Sequence, residues 1–383
     1  MRRLLTIILA AILSVSTGCT IGKGSGSFPP MADLEASPPL GVHDDGRDRK
    51  LLIANGLGET LTLVDRTDGV WRVKQDVLPI GQGVSEMVVR NGICYIVNAL
   101  SNSIQIVDPV KLATIGEISM GAGTNPEFMD FIDDNTAVVS CYLTNEVVVV
   151  DLSPATDPHE RILARIELPS GDQLPHDPGI PTSARPGGVA VIGEKCFVGC
   201  ANLSMMHVAG GPGLLVEIDL PSRSVSGILE LTGRDTTGLL HSDRFPNRLI
   251  ISSAGDYDIG EGFAGNGTVE SYDLTSGKVF QVVQVDGAPM SGTIGADDIL
   301  FLENAMEGKL LRVDLWEGEP LDGIELPSWG APLSFASSIL ALPGLLCVTD
   351  FNADRLYILD GESGKTLAEL AAGDGPDAIV RLE

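Results

Sequence analysis

Apolar residues along this chain fall in short clusters, each closed by polar turn residues, and beyond the N-terminus none has helical length or period. One phrase recurs: a β-rich run, a polar turn, and a second β-rich run that ends in aspartate. The second runs read LTLVD, IQIVD, VVVVD, LVEID, VESYD, LLRVD and LYILD, closing at Asp65, Asp108, Asp151, Asp219, Asp273, Asp314 and Asp360. In five of these seven copies the first run ends ten residues earlier, at Asn55, Asn98, Cys141, Asn304 and Asp350. A further short strand, often opened by Gly and Pro, precedes each first run, and a turn with a fourth strand follows each aspartate. Four strands per unit, joined by turns of Gly, Asn, Asp and Ser and repeated seven times, predict an all-β, seven-bladed β-propeller of four-stranded antiparallel blades over residues 51–383. Richness in Val, Ile and Leu in place of strict alternation fits sheets apolar on both faces, each stacked between two neighbours.

The chain ends in PDAIVRLE, the pattern of a first strand, whereas Leu51 opens the pattern of a second strand. The strand about Ile379 and Leu382 is therefore expected to pair with residues 51–55, so that the ring closes by completing the first blade from both chain ends.

The phrases YIVNALSNSIQIVD at residues 95–108 and CVTDFNADRLYILD at residues 347–360 resemble the YVTN-type propeller repeat of bacterial surface and periplasmic proteins. The resemblance covers nearly all of residues 51–383. It implies the propeller fold and supplies no ligand, because that repeat serves proteins with many jobs.

Residues 1–18 read as a secretory leader. Arg2 and Arg3 precede the apolar run at residues 4–13, which falls short of the about 20 residues of a permanent membrane span. Ser16, Thr17 and Gly18 ahead of Cys19 resemble the bacterial lipobox, although Ser16 stands where that motif usually has leucine. The resemblance implies cleavage before a lipidated Cys19, a lipoprotein held to the membrane through that anchor alone. Residues 19–50, rich in Gly, Pro and polar residues, are expected to be a flexible tether. Thr20 stands where inner-membrane retention is associated with aspartate, so in a Gram-negative host the outer membrane is the expected destination.

The formal charge is −27, and loss of Arg2 and Arg3 with the leader makes it −29. Such a surface repels phosphate backbones, so nucleic acid is not an expected partner. Besides Cys19 there are five cysteines, an odd number without metal-ligand spacing. Cys196 and Cys200 lie four apart on one strand, about 13 Å, too far to bond to each other.

Departures from the repeat show where function is to be sought. The aspartates are spaced by 43, 43, 68, 54, 41 and 46 residues, so the extra sequence is in blades three to five. It forms three insertions at residues 169–185, 201–212 and 254–267, in loops expected to emerge on one face. The first two contain His176, Asp177, Arg185, Asn202, Met205, Met206 and His207, candidates for contact with a small ligand or an envelope protein. The third contains Asp256, Asp258 and Glu261 among glycines, an oxygen-rich turn that suits calcium, although Gly260 stands where a third acidic ligand belongs. The histidines obey no zinc spacing. Asn55, Asn98, Asn304 and Asp350 are expected to hydrogen-bond turn backbone, with a place on the rim of the central channel as the alternative, and the strand-ending aspartates are expected to close the turns that follow them. No nucleophile elbow, zinc helix motif or phosphate-binding loop is present, and aromatic content is 5%. These features favour a binding or scaffold propeller; the alternative is an enzyme of lactonase-like or redox-cofactor-assisting type with a site at the channel mouth.

Overall fold

The computed structural model describes residues 46–154, 156–157, 160–295, 298–306, 309–328 and 335–382; the expected leader, Cys19 and most of the expected tether lie outside the described residues. Blade one joins Pro376–Leu382 to Arg49–Asn55, Thr60–Thr67 and Val70–Pro79. Blade two is Val84–Arg90, Ile93–Asn98, Ser103–Asp108 and Ala113–Ser119; blade three is Pro126–Phe131, Thr136–Cys141, Glu146–Asp151 and Ile162–Glu167. Blade four is Pro186–Ile192, Lys195–Cys200, Leu214–Asp219 and Ser224–Glu230; blade five is Thr236–His241, Arg248–Ser253, Asn266–Asp273 and Lys278–Asp286. Blade six is Pro289–Ile294, Ile299–Asn304, Lys309–Asp314 and Glu319–Glu325; blade seven is Ala336–Leu342, Leu345–Asp350, Arg355–Asp360 and Thr366–Ala371. The first strand of every blade touches the first strands of both neighbours, so the seven form a closed inner ring. The protein is a seven-bladed β-propeller.

Closure follows the expected pairing. Leu52 lies opposite Val380, Ile53 opposite Ile379 and Ala54 opposite Ala378, in antiparallel register. Leu51, Leu52, Ile53 and Ala54 are wholly buried. Ile379 packs into the interface with blade seven and Ala378 into the interface with blade two. One strand from the chain end thus serves both faces of the blade that the chain start began.

Burial is not uniform across a blade. Second and third strands are buried almost throughout, as in Leu345–Asp350 and Glu146–Asp151. Fourth strands alternate or lie open, as in Ser224–Glu230 and Glu319–Glu325. The expectation of sheets apolar on both faces therefore fails for the outermost strand. Blades around a ring diverge with distance from the axis, and water enters between their outer edges.

First strands lack a partner on their inner edge, so their backbone groups need other bonds. Side chains from the preceding blade supply several. Met129 N–H donates to Glu86 at 2.7 Å and Val191 N–H to Asp130 at 2.6 Å. Ser85 and Thr237 hydroxyls donate to the carbonyls of Pro126 and Pro289, at 3.0 and 3.2 Å, and Ser337 does the same to Pro376. Burial raises the Asp130 carboxyl above its ordinary range, an effect that its two backbone hydrogen bonds and nearby Arg90 and His241 oppose. A cavity of about 140 Å3 lies among the first strands of blades two to six, with Glu86 on its wall.

Six of the seven strand-ending aspartates accept a backbone N–H from the turn that follows. Asp108 bonds Val110 and Lys111, Asp151 bonds Ser153, Asp219 bonds Ser222, Asp273 bonds Ser276, Asp314 bonds Trp316 and Asp360 bonds Ser363. Asp65 instead faces Arg72 at 3.8 Å. The five cysteines beyond residue 45 are free and buried, and burial pushes the thiols of Cys94 and Cys347 up to about 12. They act as small apolar side chains.

Deletion of residues 376–383 is expected to abolish cooperative unfolding, because it uncovers Leu51, Leu52, Ile53 and Ala54 and leaves a strand edge bare. Thermal or urea unfolding followed by circular dichroism checks this; a truncated protein with unchanged melting contradicts it.

Candidate functional site

The face that carries the insertions is built by one repeated backbone bond. In each blade the residue after the second strand donates its N–H to the carbonyl just before the first strand, as Tyr142 does to Asn125 and Ala201 to Arg185. The accepting residue has positive φ at Gly83, Asn125, Arg185, Asp235 and Gly375. Arginine is the outlier in that series, since a side chain other than Gly, Asn or Asp costs about 1–2 kcal/mol in this region. Asn145 holds it there by accepting the Arg185 N–H at 2.8 Å. Asn102 does the same for Asn125, and Asp354 for Gly375, both at 2.9 Å. These three lie four residues after Asn98, Cys141 and Asp350, and each stitches its blade to the next.

The three insertions meet. Thr182–Ser183 of the first pairs with Leu203–Ser204 of the second in a small antiparallel sheet. Asn202 is wholly buried between them: its amide donates to the carbonyls of Pro175 and Pro212, each at 2.8 Å, and its oxygen accepts the Thr182 hydroxyl at 2.6 Å. Its side chain is therefore committed to holding the two segments together. The third insertion folds as a hairpin of Tyr257–Asp258 against Gly262–Phe263.

Arg234, in the loop between blades four and five, joins all three. Its Nη2 donates to Asp177 at 2.8 Å and to the carbonyl of Ala209 at 2.9 Å, and its Nε lies 2.8 Å from an Asp256 oxygen. His176, beside Asp177, turns Nδ1 to the Asp177 carbonyl at 3.0 Å and has Asp172 3.9 Å from Nε2. Arg185 belongs to a second cluster. Its guanidinium lies over the Tyr142 ring at 5.3 Å and donates to the Tyr142 carbonyl at 3.2 Å. The Tyr142 hydroxyl meets His207 Nδ1 at 2.9 Å, with the two rings stacked. Met205 and Met206, next to His207, are 87% and 68% exposed.

The two aspartates of the acidic loop have partners within the protein. Asp256 is shared by Arg234 and the Asn266 amide, and Asp258 accepts the N–H groups of Gly260 and Glu261 to close its own turn. Among the described residues no group of three or more His, Cys, Asp or Glu side chains is placed to hold a metal ion. Asn55, Asn98, Asn304 and Asp350 are all buried. Asn55 accepts the Gly373 N–H, Asn304 those of Ala288 and Met306, and Asp350 that of Ala353. Asn98 makes no side-chain hydrogen bond among the described residues.

Arg234 is itself positioned by Glu270. This third-strand glutamate is wholly buried and accepts the N–H groups of Gly233 at 2.8 Å and Thr232 at 3.2 Å. Gln105 holds the matching place in blade two, accepting from Gly81 and donating to Pro79. Burial raises the Glu270 carboxyl above its ordinary range, and the two backbone hydrogen bonds offset part of that rise. Sequence reasoning missed Arg234, Tyr142 and Glu270. Glu270 lies in the phrase VESYD, as Glu217 lies in LVEID, so its type gave no distinct signal, and the other two carried none beyond their place in loops of the inserted face.

No family model matches the chain, and no curated protein matches it by sequence. Among solved structures it is similar to hydrazine synthase of Kuenenia stuttgartiensis, at 13% identity and TM-score 0.59 over 77% of this chain and 88% of that one. It is similar also to apo AztD from Citrobacter koseri, at 12% identity and TM-score 0.57 over 88% of this chain and 99% of that one. The computationally designed Ika8 protein matches at 12% identity and TM-score 0.50, over 77% and 89%. Likenesses this distant show the propeller fold alone.

Two outcomes are expected. Arg234→Met changes global stability by about 1 kcal/mol or less, as for other partly exposed ion pairs, while limited proteolysis within residues 169–185, 201–212 and 254–267 speeds up several-fold; unchanged cleavage contradicts the tie. Glu270→Gln tests the carboxylate. A raised folded pKa means that its favourable contribution is present below the ordinary value near 4.5 and is lost as pH rises through the folded value. The melting temperature of the Gln variant relative to wild type therefore rises with pH, and a difference flat in pH contradicts this.

Proposed function

We propose that the protein is a lipid-anchored binding propeller of the bacterial envelope, and that its three joined insertions form the surface that receives a protein partner. The observation that carries this reading is the Arg234 node: one guanidinium reaches Asp177, Ala209 and Asp256, one residue from each insertion. Independent surface loops have no need of a shared tie, whereas a preorganised surface lowers the ordering cost of binding. The composition of the surface suits a protein. Exposed Met205 and Met206 supply adaptable apolar contact, and Arg185 with Tyr142 and His207 supplies a guanidinium and an imidazole beside an aromatic ring. The leader and Cys19 support placement at the membrane surface, where a lipid anchor and the tether leave the ring free to turn its inserted face to a neighbour.

A photo-crosslinking residue at position 206, compared with one at position 110 on the opposite face, tests the binding surface in cells; Val110 is 90% exposed and so no less accessible than Met206. Discrete protein adducts at 206 that weaken in the Arg234→Met background are expected, with none at 110. Identical adduct patterns at the two positions contradict the proposal. The anchor is tested separately: Cys19→Ala is expected to abolish metabolic labelling with palmitate and release the protein from membranes, and a variant that stays labelled contradicts lipidation.

A further inference from the structure

Interfaces between blades repeat the same contacts, so a departure at one of them is informative. Between blades two and three, the end of the interface on the face opposite the insertions is filled by Ile106, Phe131 and Leu152. Phe131 meets Tyr95 edge to face, with ring centroids 5.4 Å apart. Strand register gives the matching positions between blades six and seven. Phe301 takes the place of Tyr95, three residues before the end of its strand, and Ala341 opposite Leu346 takes the place of Phe131 opposite Ala137. Arg312 takes the place of Ile106, two residues before the strand-ending aspartate, and Gly361 that of Leu152, the residue after it.

The last substitution stands out along the chain. Leucine follows the aspartate in blades three to six, at Leu152, Leu220, Leu274 and Leu315, and fills each interface with the blade before. In blade seven Gly361 follows instead, and its N–H donates to the Gly344 carbonyl at 3.1 Å. The four leucines make the same bond, for example Leu152 to Asn135 at 2.7 Å and Leu315 to Asp298 at 3.1 Å, so the backbone keeps its register at Gly361 and only the side chain is missing.

A cavity of about 430 Å3 lies at this place, with Ala341 and Gly361 among the residues that line it. It lies in the size range of small-molecule sites. Its walls are chemically divided. Phe301, Ile299 and Leu345 give an apolar surface, Arg312 lines the cavity from blade six, and Asp360 and Glu362 line it from blade seven, Asp360 also accepting the N–H and hydroxyl of Ser363. Arg312 Nε donates to the Asp322 carbonyl at 2.6 Å, which orients the guanidinium, and among the described residues Arg312 forms no ion pair. A simple anion meets the field of a chain carrying −27 charges and the two acids on the wall, and a simple cation meets Arg312. A zwitterion with an apolar side chain suits both walls and the floor.

We propose that the cavity between blades six and seven binds an apolar α-amino acid, its carboxylate on Arg312, its ammonium toward Asp360 and Glu362, and its side chain against Phe301 and Leu345. The site is on the face opposite the insertions and stands or falls independently of the partner surface. The test is calorimetric and thermal-shift titration of the folded chain with L-phenylalanine, L-leucine, N-acetyl-L-phenylalanine and L-phenylalanine methyl ester. Either free amino acid is expected to raise the melting temperature saturably, and blocking either charge to weaken binding about tenfold or more. Ala341→Phe, which restores the ring found at Phe131, is expected to melt at or above wild type and lose the response. Arg312→Gln is expected to bind phenylalanine about tenfold more weakly, no better than wild type binds the methyl ester. Absence of any response to both free amino acids overturns the proposal, as does an Ala341→Phe or Arg312→Gln variant that binds phenylalanine like wild type. Should Ala341→Phe not fold, the Arg312→Gln titration decides.

Discussion

A four-stranded sheet with two apolar faces has no stable existence in water unless both faces are covered, and every other feature of this molecule rests on how that requirement is met. Stacking covers the inner faces of a row but leaves two ends, and only a ring removes them. The ring here closes without a disulfide, through the pairing of Pro376–Leu382 with Arg49–Asn55. The strand from the chain end faces blade seven through Ile379 and blade two through Ala378, so the first blade is complete only when the two ends of the fold meet.

A closed ring gives its loops a rigid mount. The N–H of the residue after each second strand ties that strand to the segment entering the same blade, and Asn102, Asn145 and Asp354 tie three blades to their successors. The insertions are set into this frame. Arg234 unites them, and Glu270 fixes the loop that carries Arg234, so a buried carboxylate in a strand controls the surface through a backbone turn. Its desolvation is a local cost that blade two avoids, since Gln105 performs the same task there without a charge.

Much of this was legible in the sequence because a repeat supplies its own controls. Seven strand-ending aspartates set the blade count, and PDAIVRLE at the end against the second-strand pattern from Leu51 at the start marked the closure. The expected turn role of those aspartates holds in six copies and fails at Asp65, where Arg72 faces it instead. Asn102, Asn145 and Asp354 were equally visible as a periodic set, but their partners lie in the next blade and cannot be read from local turn chemistry. The contacts of Arg234 depend on three segments that meet only after the ring has formed. Spacing in the acidic turn does not reveal that Asp256 is engaged by Arg234 and Asn266, or Asp258 by its own turn. The cavity between blades six and seven was present as Asp-Gly where four blades have Asp-Leu, yet its meaning needed the register that pairs Ala341 with the place of Phe131.

Native-state hydrogen exchange, resolved by strand, tests the central claim most directly. If closure carries the stability of the ring, amides of Leu51 to Ala54 and of Ala378 to Val380 exchange only by the same global opening as those of Lys195–Cys200 in blade four. Exchange of the first blade through a separate and much lower-energy opening, with blade four still protected, would contradict the account.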